Sequence, residues 1–555
     1  MTVTLPPGLT FGPSSTTRGR SVVATRAFGP GDTISIFADR KASVAVPDVP
    51  HLAQTCSYCL AVADVDSDAP ATQQVSVRAC TACRTAHYCS TACQKADWGL
   101  AHGKGECKAF KRVRAPETGS GTATRTLPTP TRALIQVLLR PDMQAAIAEL
   151  EGHVESFRNA DPQAWADIEL QARAALHYLG RETGPAEVKE AVEVSCKLRV
   201  NSFNRTDTDL GQSGIYINTA LAMVDHSCVP NAFVQFTGRK AILHAFREIK
   251  ENEEIEISYI DCTLHRSQRQ HALKTRYHFE CICLRCTDDM DVYQVCQMYP
   301  HLELNLFSLM PDLDKLRKPS VKQFLHSNKV LQHNVDQIYL SCSEPLQELS
   351  PADKHKELRR RWRMCAKLRK VESYAVEPLT QVLVEASVYF SIQGNFAYGL
   401  AIACFLALNS DPYKGPMPFF EPRVRRMFVM AKLLTNTAAT TDLALSGNSA
   451  TLEARIYQAL SSKDQATLCQ VVLRILIYYC PAAHSTEWQI YHQAKDLLND
   501  LESLPGRETE NALINAFVRN PNGSDERRFF MTAVLYPIQA LAEFALKAME
   551  TEFGT

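Results

Sequence analysis

Cysteines crowd into one short stretch of this chain and recur in a second. Cys56 and Cys59 are separated by two residues, Cys80 and Cys83 by two, Cys89 and Cys93 by three, and His102 and Cys107 by four. A closed tetrahedral zinc site takes four Cys or His ligands, so these eight candidates suit two ions. The sequence around them is rich in Thr, Ala and Gly and has little apolar content, so metal has to supply its folding free energy, on the order of 10 kcal/mol per structural zinc. Downstream, YHFECICLRC sets Cys281, Cys283 and Cys286 in a C-x-C-x2-C array. Three thiolates leave a tetrahedral zinc one ligand short. Cys228, alone in VDHSCVPN, is the thiol that completes the set and ties that segment to the end of its domain.

The elements that must position these groups can be read from composition and periodicity. A chain of 555 residues is too long for one core and predicts several domains. At 45% hydrophobic and 22% charged it has the composition of an ordinary soluble protein. Its 60 basic residues equal its 60 acidic ones, which argues against a whole-chain grip on nucleic acid. The N-terminus lacks the basic start and apolar run of a secretory signal, and no apolar stretch reads as long enough to cross a bilayer. The expectation is an intracellular protein in a reducing compartment, where C-x-x-C pairs mean metal more often than disulfide. Cys196, Cys296, Cys342, Cys365, Cys404, Cys469 and Cys480 stand alone in apolar surroundings and read as small core residues; Cys262 is undecided.

Along the chain, RGRSVVATRAFGPGDTISIF alternates like short strands broken at Gly29, Pro30 and Gly31. A Thr-, Pro- and Gly-rich connector follows the cysteine stretch, and helical periodicity runs from about 132 to 200. Strand-like runs return at NAFVQF, KAILHAF and EEIEISYI, and beyond about 290 almost everything is helical. There SIQGNFAYGLAIACFLALNSDP resembles a tetratricopeptide hairpin, with no strict repeat period. In the basic run KHKELRRRWRMCAKLRK, Leu358, Trp362, Cys365 and Leu368 share one helical face, which favours a charged helix packed on a core over a nucleic-acid patch.

The first cysteine stretch, with YCSTACQKADW, resembles the MYND zinc finger. That resemblance implies interleaved pairs: Cys56, Cys59, Cys89 and Cys93 on one ion, and Cys80, Cys83, His102 and Cys107 on the other. His87 is the rival imidazole but falls where the pattern has no ligand. The gap between the second and third cysteines is unusually long, and the final His and Cys are spaced about one residue wide. The resemblance further implies that Gln94 and Trp98 grip proline-containing peptides, although Trp98 also reads as packing for the finger's small core.

Taken together, RGRSV, NSF, DHSCVPN, EEIEISYID and YHFECICLRC resemble, in order, the motifs of the SET and MYND domain family of protein-lysine methyltransferases. The implied fold is α+β and multidomain: a β-rich SET domain (1–50 and 191–265) split by a MYND finger (51–110) and a connector with a helical insert (111–190). A post-SET zinc site (266–290) and an all-α, helical-hairpin (tetratricopeptide-like) C-terminal domain (291–555) follow. The implied activity is methyl transfer from S-adenosylmethionine to a lysine amine of a histone or non-histone protein, with three structural zinc ions. Tyr259 is the implied catalytic tyrosine, and Gly19, Arg20, Asn201, Asp225, His226 and Phe279 bind the cofactor with it. Phe203 and Tyr277 wall the lysine channel. The resemblance suggests a monomer in nucleus and cytoplasm that acts on protein, with no membrane and no direct nucleic-acid partner.

Two positions depart from the pattern. Asp225 stands where the family has asparagine, replacing a donor and acceptor with a group that only accepts when ionised. Ser21 replaces a glycine of the first cofactor loop, where a Cβ could strain the turn. They keep a second hypothesis open, a catalytically silent scaffold that binds peptides through its finger and helices. A DNA-binding regulator is the third, weakened by the neutral charge and the lack of a basic recognition helix.

Overall fold

A computed structural model describes the chain except residues 1–2, 14–19, 64–74, 115–125, 208–210, 299–328, 343–345, 347–348, 446–450, 484–487 and 555. It divides into two compact units, the first comprising Met1–Ile260 and Gln270–Cys281, the second Asp261–Arg269 and Ile282–Thr555.

The first unit is built from short strands because its sequence alternates in runs of only three to eight residues. β1 (Leu9–Phe11) pairs antiparallel with β2 (Val22–Ala24), and β3 (Thr33–Phe37) lies beside β11 (Lys240–Ala245), which pairs in turn with β10 (Ala232–Thr237). A second three-stranded sheet places β8 (Gly211–Asn218) between β4 (Ser43–Pro47) and β7 (Phe203–Asp207). At Gly214 the strands approach so closely that a Cβ would lie 2.3 Å from the carbonyl oxygen of Val46, so only glycine fits that register. Residues that sit far apart in sequence, such as Val22, Phe28, Tyr216, Leu243 and Ile257, share one buried core.

The helical insert forms as its periodicity predicts. Within it, α6 (Pro162–Leu179) starts at Asp161, whose carboxylate accepts from the N–H groups of Gln163 and Ala164, and stops at Gly180 in the left-handed region. Another insert helix, Thr129–Leu138, is held against β4 by two buried arginines. Arg132 donates to the carbonyl of Pro47 at 2.7 Å, and Arg140 to the carbonyls of Ser43, Arg40 and Lys41, each at 2.7 Å. This helix and α6 pack on the cysteine-rich segment, so its thiols share a core with Phe110, Leu134 and Leu138.

Among its described residues, the regular elements of the second unit are all helices. The hairpin-like segment is two helices, Leu379–Ile392 and Phe396–Asn409, joined at Gly394 (φ +78°) with Asn395 capping the second. Leu358, Trp362, Cys365 and Leu368 are buried along the basic run, as their shared face predicts. Its charges are absorbed locally: Arg361 is buried against Glu357 and Glu385, and Arg369 pairs with Glu550. All seven isolated cysteines are buried free thiols; Cys262 is partly exposed.

One expectation needs correction. The helical stretch Ser524–Phe553 is long and apolar enough, by length and composition, to cross a membrane. Its apolar content is a core-facing stripe: Phe530, Val534, Ile538, Leu541, Ala545, Ala548, Met549 and Phe553 recur three or four apart and are buried in the unit. Reading only for unbroken apolar runs missed it.

Candidate active site and thiol clusters

Among the described residues, three sets of four ligand-type residues converge, each with its ligand atoms within 4.8 Å of one another: Cys56, Cys59, Cys89 and Cys93; Cys80, Cys83, His102 and Cys107; and Cys228, Cys281, Cys283 and Cys286; Asp97 and Glu106 form a further group with His102. Ligands about 2.3 Å from a common ion in a tetrahedron stand about 3.8 Å apart. Cys59 and Cys89 are 3.6 Å apart, Cys89 and Cys93 3.5 Å, Cys80 and Cys107 3.9 Å, and Cys83 Sγ lies 3.8 Å from His102 Nε2. These spacings fit a tetrahedral, thiolate-binding ion such as zinc. His87 belongs to none of the sets; its Nδ1 lies 3.1 Å from the carbonyl of Thr85.

Buried groups around His102 fix its orientation. Its Nδ1 is 2.9 Å from Glu106 Oε2, and Glu106 Oε1 accepts from Gln136 Nε2 at 3.0 Å. A carboxylate on the far nitrogen of a ligating histidine sets the tautomer and leaves Nε2 for the metal. Sequence reasoning missed Glu106 and Gln136, although the i, i+4 spacing of His102 and Glu106 was there to be used. Tyr88 donates to buried Asp97 at 2.7 Å in the same small core. Trp98 touches the His102 ring edge-on but is 52% exposed, so packing accounts for only part of it. Gln94, one turn earlier on the helix Thr91–Asp97, is half-buried.

The DHSC segment is paired to the strand before Tyr259. β9 (Asp225–His226) runs parallel to β12 (Glu256–Ile257), and Ser227 N–H donates to the Ile257 carbonyl at 2.9 Å. Asn231 acts as a clamp: its Nδ2 donates to the Glu254 carbonyl at 2.7 Å, and its Oδ1 accepts from Glu256 N–H at 2.8 Å. Two residues of strand, where EEIEISYI suggested more, suffice because side chains make the remaining bonds.

Tyr259 follows this paired segment. Its hydroxyl donates to the Val224 carbonyl at 2.6 Å, and its ring lies 4.9 Å from that of Tyr277, whose hydroxyl donates to the Tyr259 carbonyl at 3.2 Å. Burial, then the charge of Asp225 and the neighbouring Tyr277, push the Tyr259 hydroxyl above its ordinary pKa, so it stays neutral. His226 is buried with its ring 5.2 Å from Tyr259 and 5.9 Å from Phe279. Phe203, at the start of β7, packs edge-on against Phe236 at 6.4 Å, in the core that Tyr259 also borders.

The structure narrows three expectations. Asn201 spends both amide hydrogens on the carbonyls of Glu151 (2.7 Å) and Lys197 (2.8 Å), leaving its side chain only an oxygen for any ligand. Both ring nitrogens of His226 face protein atoms, so a cofactor contact from this residue falls to its main chain. Ser21 is not among the described residues with positive φ, so its Cβ strains nothing there. Gly19 lies outside the described residues, and Arg20 is exposed with its guanidinium 6.0 Å from the Phe11 ring.

Comparison with known proteins follows this geometry. The SET domain family profile matches residues 19–260. SET domain and MYND-type zinc finger protein 6 of Schizosaccharomyces pombe is 35% identical over 272 residues, covering 49% of this chain and 50% of that protein. Human N-lysine methyltransferase SMYD2 is 28% identical over 275 residues (49% and 58% covered), and human histone-lysine N-methyltransferase SMYD1 26% over 360 (60% and 66%). The chain thus spans about half the length of the first curated relatives it matches. A crystal structure of the SET domain of LSMT bound to lysine and AdoHcy aligns over 95% of both chains at 11% identity and a TM-score of 0.22, a likeness that carries no argument. Residues 19–260 match the SET domain family profile, and over about half its length the chain is similar to proteins named for SET and MYND domains.

Proposed function

We propose that this chain is an S-adenosylmethionine-dependent protein-lysine N-methyltransferase acting on a histone or non-histone protein. The observation that carries it is the half-buried, neutral Tyr259 hydroxyl, held by the carbonyl of Val224 just before the DHSC segment, within the residues that match the SET domain profile. When bound, S-adenosylmethionine supplies an electrophilic methyl on a sulfonium. The local groups suit it: aromatic faces and main-chain carbonyls favour a desolvated cation. Phe279 would face the adenine, the main chain at Asp225–His226 and the accepting side-chain oxygen of Asn201 would hold the cofactor, and Arg20 would lie toward its methionine end. Tyr259 and Tyr277, with Phe203, exclude water from the lysine, which disfavours its ammonium form and aligns the amine.

Three zinc ions are structural in this reading, one in each ligand set. The cysteine-rich insert is a MYND finger whose Gln94 and exposed Trp98 hold proline-containing peptides, and the helical unit is a tetratricopeptide-like domain. The protein works as a monomer in nucleus and cytoplasm. Purified chain incubated with radiolabelled S-adenosylmethionine and cell extract should label protein, and Tyr259→Phe should lose roughly 10²-fold or more of that labelling, the cost of removing one transition-state donor. Labelling that ignores the substitution contradicts this assignment; absence of both labelling and cofactor binding favours the silent scaffold.

A further inference from the structure

His226 stands between the third thiol cluster and the tyrosine. Its Nδ1 lies 3.0 Å from the main-chain nitrogen of Tyr259, and its Nε2 3.3 Å from Cys228 Sγ. An amide N–H can only donate, so Nδ1 must be the ring's lone-pair nitrogen. The ring proton of the neutral imidazole therefore sits on Nε2 and points at the sulfur. A metal-bound Cys228 is a thiolate, and a hydrogen bond to an ionised acceptor is about twice as strong as one between neutral groups. The same ring touches Tyr259 and Phe279. One buried side chain thus meets a cluster sulfur, the tyrosine's own amide and the aromatic ring assigned to the adenine.

We infer that His226 is a positioning residue that couples metal occupancy of the Cys228–Cys281–Cys283–Cys286 cluster to the placement of Tyr259. The inference rests on the methyltransferase reading for the importance of Tyr259, but the coupling itself does not depend on catalysis. Metal binding makes Cys228 a stronger acceptor, fixes the tautomer and orientation of the imidazole, and so presents a defined lone pair to Tyr259 N–H. Loss of the ion weakens the sulfur end and frees the ring to turn, which loosens the strand end carrying Tyr259. Outer partners of a metal ligand typically change metal affinity by roughly 10–100-fold when removed.

The test uses the full chain with zinc bound and two readouts that need no methyl transfer. In His226→Phe, which keeps a flat ring but neither hydrogen bond, zinc release from one site to a chelator should quicken roughly tenfold. Hydrogen–deuterium exchange of the peptide containing Glu256–Ile260 should quicken with it. His226→Gln, whose amide can both accept and donate, should recover part of both. In a Cys228→Ser background, His226→Phe should add little to the exchange rate. Exchange of this peptide unchanged by His226→Phe, or zinc release equal to wild type in both variants, overturns the inference. If His226→Phe fails to fold, His226→Gln with partial loss of both readouts supports it, and His226→Gln with neither changed overturns it. Failure of the methyltransferase reading shows elsewhere, as labelling that ignores Tyr259→Phe.

Discussion

Tyr259 and Asp225 set the chemistry at the scale of single residues. The Tyr259 hydroxyl is half-buried and held neutral, and the Asp225 carboxylate is one of the charges that raise its pKa. Two unit charges several ångströms apart at an effective dielectric of about 20 interact by roughly 2–4 kcal/mol. On the proposed methyltransferase reading, a carboxylate near the tyrosine favours cationic S-adenosylmethionine over its product, whose sulfur is neutral. Asp225→Asn should lower the ratio of S-adenosylmethionine to S-adenosylhomocysteine affinity, by roughly threefold or more, measured by calorimetry. An unchanged or higher ratio would show that the carboxylate does not sense the sulfonium. The three ligand sets were legible because thiol spacing is a local signal with a small number of tetrahedral solutions. The partners that orient them were not: Gln136 reaches Glu106 across 30 positions, and Glu151 meets Asn201 across 50. Sequence distance hides such pairings.

At the scale of elements, short strands are stitched by side chains rather than by long ladders. NAFVQF and KAILHAF became β10 and β11 nearly as read, because each is a short apolar run bounded by turn residues, and β11 is buried at five consecutive positions. The run before Tyr259 kept only two residues of strand, since Asn231 makes the bonds a longer ladder would make. On β11, burial pushes the His244 imidazole down to about 4 from an ordinary 6.5. A depressed folded pKa gives stability that is full above the unfolded value and is lost as pH falls through the folded one. Thermal unfolding of the first unit should therefore drop in midpoint between about pH 6.5 and 4, and His244→Phe should flatten that slope. An unaltered slope in the variant would assign the acid sensitivity to other groups.

At the scale of the molecule, the basic run shows why charge alone misleads: Arg360 and Arg361 pair with Glu357, Arg361 also with Glu385, and Arg369 with Glu550, all within one helical unit. The helical class of that unit was plain from its periodicity, whereas the stripe in Ser524–Phe553 needed packing to reveal it. Metal content is a whole-molecule count. Native mass spectrometry should find three zinc ions per chain, and Cys228→Ser should lose one while keeping the other two. Two ions in the wild type, with Cys228→Ser unchanged, would remove metal from the third cluster.

The most direct measurement is a crystal structure of the chain soaked with S-adenosylhomocysteine. The account predicts the ligand sulfur in contact range of the Tyr259 hydroxyl, with the adenine against Phe279. A ligand bound away from Tyr259, or no binding by a fully zinc-loaded protein, would contradict it.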